Sequence, residues 1–183
     1  ATHQSGGDVV RSLAALRHQT YDSLRVLVAC DHADIERVGG LVSHDDNSSE
    51  VVCEVVGGSL PDVANEATGL VEGDNGLFWF IEGGTSPEPD ALERLVDELL
   101  QSNAGIVGPK IVHLEERSRV QAVGIAVDRL GERAGPLDLD EIDQEQHDRV
   151  RDVLAVDSSG MLVRADLFHR LGGFAPGLTQ GTA

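Results

Sequence analysis

LFWFIEGGTSPEPDALERLV, residues 77–96, changes period midway. Leu77 to Ile81 is a short apolar run crowded with Phe78, Trp79 and Phe80, a composition that suits a buried strand. The stretch Gly83-Gly84-Thr85-Ser86-Pro87-Glu88-Pro89-Asp90 then combines turn residues with a helix-start signal. Leu92, Leu95, Val96, Leu99 and Leu100 follow at the spacing of an amphipathic helix. Strand, sharp turn and helix in that order form half of a strand-helix-strand unit.

Upstream, the same unit recurs. Val9, Val10, Leu13, Ala14 and Leu16 repeat at helical spacing after Asp8, a predicted N-cap, and the helix is expected to end near Gln19. Leu24 to Cys30 reads as a strand buried on both faces, and Ile35, Val38, Leu41 and Val42 keep a helical period before the polar loop 43–50. Val51 to Val56 is the next strand, and a helix runs from Pro61 to Glu72. Such alternation predicts a parallel sheet covered by helices with right-handed crossovers. Downstream the alternation stops. Residues 105–114, 120–128, 153–156 and 161–164 read as strands, and Ala165 to Leu171 as a short helix ended by Gly172-Gly173. The chain opens so near its first helix that a preceding strand survives only as the stub Ala1-Thr2-His3.

Composition narrows the chemistry. With 183 residues, 40% hydrophobic and 25% charged, the chain is long and apolar enough for one compact domain. The 32 acidic residues against 14 basic ones leave a net charge of −18, which disfavours nucleic-acid backbones and anionic membranes as partners. Lys110 is the only lysine. Cys30 and Cys53 stand apart with no CxxC, so reduced buried thiols are expected rather than zinc or redox chemistry. No run reaches the length of a membrane span and no signal segment is visible, which gives a cytoplasmic expectation. The absence of GxGxxG after a strand, of a Gly-Lys-Ser/Thr loop, of HExxH and of GxSxG argues against dinucleotide oxidoreductases, P-loop NTPases and common hydrolases.

Five segments in order, SLAALRHQTY (12–21), LRVLVACD (24–31), VANEATGL (63–70), WFIEGGTSPEPDALERLV (79–96) and GMLVRADLFHRLGGF (160–174), resemble family 2 glycosyltransferases of the GT-A fold. The resemblance covers nearly the whole chain. It implies an α/β, Rossmann-like, mostly parallel sheet with helices on both faces and a smaller mixed C-terminal part. Within a single domain, 1–183, residues 1–103 would bind a nucleotide-diphospho-sugar and 104–183 would form an incomplete acceptor side. The implied activity is sugar transfer to an acceptor hydroxyl, on a carbohydrate or lipid-linked acceptor, in the cytoplasm or on a cytoplasmic domain of a membrane-associated protein.

The same resemblance assigns residues. Thr2 and His3 match the tip of the first strand, His3 being otherwise an exposed terminal histidine. Asp31 matches the position that accepts hydrogen bonds from base or ribose, or else caps the helix before Ala33. Asn65 matches a helical asparagine near the nucleotide, or is a surface residue. The family usually places aspartates after the aromatic strand to hold a divalent cation, Mg or Mn, against the donor diphosphate. Here that tip reads Glu82-Gly83-Gly84, leaving only Glu82 as a ligand. The loss of the aspartates motivates an alternative, a non-catalytic binding or scaffold domain of a larger cell-envelope protein. A literal Asp138-Leu139-Asp140 lies in the acidic stretch 128–152, without a strand leading into it. The family's general base follows the Gly-Gly-Phe segment and is expected beyond Ala183; Asp157, after the strand 153–156, is an upstream carboxylate that would face the acceptor or else serve the structure. Lys110 and His113 lie on a later strand, where Lys110 would meet phosphate or form a surface ion pair. Trp79 is expected in the core.

Overall fold

The computed structural model describes residues 6–30, 52–55, 60–71, 73–125 and 141–175. In chain order the elements are α1 (Gly6–Arg17), β1 (Leu27–Cys30), β2 (Val52–Val55), α2 (Leu60–Gly69), β3 (Leu77–Trp79) and α3 (Ala91–Ser102). They continue as β4 (Ile106–Val107), β5 (Ile111–Val112), β6 (Val120–Ala122), a 3-10 turn at Ser158–Gly160, β7 (Leu162–Arg164) and α4 (Ala165–Leu171).

The expected mostly parallel sheet is not what forms. Among the described residues only β1 and β2 pair in parallel, Leu27 facing Val52 through Cys30 facing Val55. A second sheet has the order β3-β7-β4 and is antiparallel throughout, and β5 and β6 make an antiparallel pair. The fold is mixed α/β with small sheets. The physical reason lies in β7. A short run such as Leu162-Val163, buried on both faces, suits a central strand of either direction, so its hydrophobicity carries no sign of polarity. It enters between β3 and β4 from some 80 residues beyond β3, and both neighbours therefore meet it antiparallel.

Alternation along these strands builds two cores. Leu162 packs with Leu92, Leu95, Val96, Leu99 and Val107, with Trp79 against them. Val163 points the other way and joins Met161 and Phe168, with Phe78, Phe80 and Phe174 around them. Both Leu162 and Val163 are 1% exposed. Phe78, Phe80, Phe168 and Phe174 form a tilted and edge-on ring cluster with centroids 5.1 to 6.4 Å apart.

Other boundaries shift for local reasons. Asp8 lies at the third position of α1 rather than before it. The run 105–114 breaks into β4 and β5 around Gly108-Pro109, since proline cannot donate to a ladder. Residues 153–156 form no strand; Ala155 makes only an isolated bridge to Ile125. Helix α4 ends as expected, Gly172 capping it at φ 82°. The predicted helix at 35–42 and the loop 43–50 lie outside the described residues.

Candidate functional site

The site is built where β3 gives way to its loop. Phe80 N–H donates to Met161 O at 2.9 Å, so the chain stays registered to β7 for one residue past the strand. Thr85 N–H then donates to Glu82 O at 3.1 Å, closing a four-residue turn. Its third residue, Gly84, has φ 93°, a left-handed value that a side chain would oppose. The two glycines thus serve the turn that starts at Glu82.

Ser12 reaches this turn from α1. Its hydroxyl donates to Thr85 O at 2.8 Å and accepts from Gly84 N–H at 3.0 Å, with Glu82 O at 3.5 Å. Farther along α1 and just beyond it, Gln19 Nε2 donates to Glu88 O at 2.8 Å, while its Oε1 accepts from Leu92 N–H at 3.1 Å. Asp90 precedes α3 without a side-chain cap bond, so Gln19 serves the first turn of α3 from another element.

Facing Glu82 is the 3-10 turn before β7. Ser158 Oγ donates to Glu82 Oε1 at 3.3 Å. Asp157 caps that turn: its Oδ1 accepts from Ser159 N–H at 2.9 Å and from the Ser159 hydroxyl. Trp79 Nε1 donates to Gly160 O at 3.2 Å and ties the turn to β3. Glu82 is therefore joined to Ser158, and Asp157 to Ser159 within the same turn, at one end of the β3-β7-β4 sheet. The arrangement can accept hydrogen bonds from sugar hydroxyls and can take up a proton.

As a metal site it is thin. Among the described residues no group of three His, Cys, Asp or Glu side chains is arranged to hold a cation.

The remaining predicted residues separate. Asn65 turns to the chain itself: Nδ2 donates to Phe174 O and Oδ1 accepts from Phe174 N–H, each at 2.8 Å. Lys110 pairs with Asp143 at 2.7 Å and with Asp148, the ion-pair arrangement rather than a phosphate contact. Burial opposes its charge, but these hydrogen bonds hold its pKa above the ordinary 10.5. The same contact with Lys110 lowers Asp143. His113 follows β5, its N–H donating to Arg119 O at 3.0 Å. Trp79 packs against the core as expected. Thr2, His3, Asp31, both cysteine side chains and the Asp138-Leu139-Asp140 motif lie outside the described side chains. An open groove of about 330 Å³, lined by Leu77, Leu99, Asn103, Arg164 and Asp166, sits at the other end of β3, away from Glu82. Arg164 there is bidentate to Asp166 at 3.0 Å.

Ser12 and Ser158 are the members that sequence reasoning passed over. Ser12 carried a signal: a serine on the apolar face of α1, between Val9 and Leu16 at helical spacing. Ser158 carried none.

No helix among the described residues is long and apolar enough to cross a membrane. No family model matches the chain, and neither does any curated protein.

Proposed function

We propose that the chain is the sugar-transfer domain of a glycosyltransferase, binding a nucleotide-diphospho-sugar and passing the sugar to an acceptor hydroxyl. Support comes from the five ordered segments that resemble family 2 enzymes and, above all, from the Glu82–Ser158 hydrogen bond, which joins the end of β3 to the turn that Asp157 caps. In this reading Glu82 accepts hydrogen bonds from hydroxyls of the donor sugar. Asp157 is assigned to the acceptor side: as the acceptor oxygen bonds to C1, the C1–phosphate-oxygen bond breaks and the nucleoside diphosphate leaves with the electron pair. The acceptor's proton passes to a carboxylate. An acidic chain must hold a diphosphate against its own field, so binding is expected to strengthen as ionic strength rises.

A second reading, a binding module without turnover, is favoured by Gly83-Gly84 and by the lack of a three-residue cation group among the described residues. Calorimetry with UDP-glucose and GDP-mannose, with and without manganese, paired with an assay of nucleoside diphosphate release, separates the two. Binding with release supports the enzyme. Binding without release supports the module, and no binding of either sugar nucleotide removes both.

A further inference from the structure

We infer that Ser12 is a positioning residue of this site: its hydroxyl, reaching from α1, fixes the turn that directs the Glu82 carboxylate at Ser158. The functional consequence rests on the donor-binding reading above; the positioning itself does not.

Ser12 is 6% exposed. A buried hydroxyl has one proton and two lone pairs to satisfy. Its proton goes to Thr85 O, and a lone pair receives Gly84 N–H. The turn's own closing bond, Thr85 N–H to Glu82 O, completes the set. Gly83-Gly84 is the most permissive dipeptide a chain can use, and left alone it would let the strand end adopt many directions. An external clamp on Gly84 and Thr85 removes that freedom. Glu82 is the first residue of the turn, so any rotation of the turn swings its carboxylate. Ser158, by contrast, is anchored independently, by the Asp157 cap on one side and by Trp79 on Gly160 on the other. Ser12 thus acts on the Glu82 side of the Glu82–Ser158 contact.

The test uses a double-mutant cycle on the whole chain. The ¹³C resonance of the Glu82 carboxyl is followed by NMR. Ser158→Ala shifts it in the wild-type background and is expected to shift it by less than about half as much once Ser12→Ala or Ser12→Cys is present, while Ser12→Thr preserves the full shift. Equal shifts in all backgrounds overturn the inference. Donor binding gives a second arm with UDP-glucose and GDP-mannose as probes. Ser12→Ala is expected to weaken binding about fivefold, Ser12→Thr to restore it, and Ser12→Ala to change nothing further when Glu82→Gln is already present. A loss of equal size in the Glu82→Gln background marks a general structural role and also overturns it. Wild-type protein that binds neither probe retires the donor reading, and the carboxyl resonance then decides the role of Ser12 alone.

Discussion

The carboxamide of Asn65 meets the backbone of Phe174 twice, each bond 2.8 Å long, as one strand meets another. Helix α2 thereby holds the chain where it leaves α4, and Phe174 is seated against Phe80 and Phe168. Removing both bonds leaves a part-buried amide N–H and carbonyl without their partner. Asn65→Ala is expected to cost about 2 kcal/mol, and Asn65→Asp nearly as much, since a carboxylate can accept from Phe174 N–H but cannot donate to its carbonyl. Urea unfolding followed by circular dichroism measures both; an Asn65→Ala midpoint equal to wild type contradicts the clamp.

Gly173 is the complement of that clamp. It has φ 77°, and an added Cβ would stand 2.3 Å from Asn65 Oδ1. Gly173→Ala therefore combines left-handed strain with a collision and is expected to cost about 2–4 kcal/mol. In the Asn65→Ala background the collision disappears and only the backbone part, about 1–2 kcal/mol, remains. The costs should thus fall short of additive, and simple additivity in a double-mutant cycle argues against the contact.

Asp143, Asp166 and Glu141 all have pKa values below the ordinary carboxylate range. The causes are hydrogen bonds from Lys110, from Arg164, and from Gln146 with His147, respectively. In acid the unfolded chain binds more protons than the folded one, so stability rises with pH there. These contributions are present above about pH 4 and fade as pH falls through the lower folded values. Lys110 acts at the other end: raised above 10.5, it contributes below that value and the contribution is lost as pH rises through the folded one. Lys110→Met is expected to flatten both limbs of a stability-against-pH curve from urea midpoints. A wild-type slope between pH 3 and 5 in this variant contradicts the linkage.

The sequence was most legible where period and punctuation agreed. Helix α3 follows its apolar spacing at Leu92, Leu95, Val96 and Leu99, all buried, while Leu100, the fifth apolar position, is 69% exposed, and α4 stops at Gly172-Gly173. Strand direction was not legible, because Leu162 and Val163 fill a central strand of either polarity. At the site, Glu82 could be read from its place after an aromatic strand. Its partner Ser158 lies 76 residues away, joined only by the return of β7. Asn65 shows the converse: an asparagine in a helix gives no hint that its amide will be consumed by a backbone 109 residues on.

Trp79 links the core to the site. Replacing it with phenylalanine keeps most of the ring packing against Leu162 and its neighbours but removes the donor to Gly160 O. The unpaired carbonyl and the lost ring volume together are expected to cost about 2–3 kcal/mol. Because Gly160 ends the turn that carries Ser158, Trp79→Phe should also speed amide exchange at Ser159 and Gly160 more than in α3. Uniform acceleration across the domain contradicts a local tie.

Asp157 has two separable properties, a cap and a charge. Its Oδ1 holds Ser159 N–H at 2.9 Å and the Ser159 hydroxyl, while the charge stands beside the Ser158 that contacts Glu82. Alanine removes both properties and is expected to cost about 1 kcal/mol of stability, the scale of a lost cap. Serine keeps a capping oxygen and removes the carboxylate, so Asp157→Ser should unfold within about 0.5 kcal/mol of wild type. If Asp157 takes the acceptor's proton, nucleoside diphosphate release falls at least about 100-fold in Asp157→Ser, with donor affinity unchanged. If its role is the cap alone, Asp157→Ser retains release and only Asp157→Ala loses stability. The two substitutions thus assign the carboxylate to chemistry or to architecture without relying on either result alone.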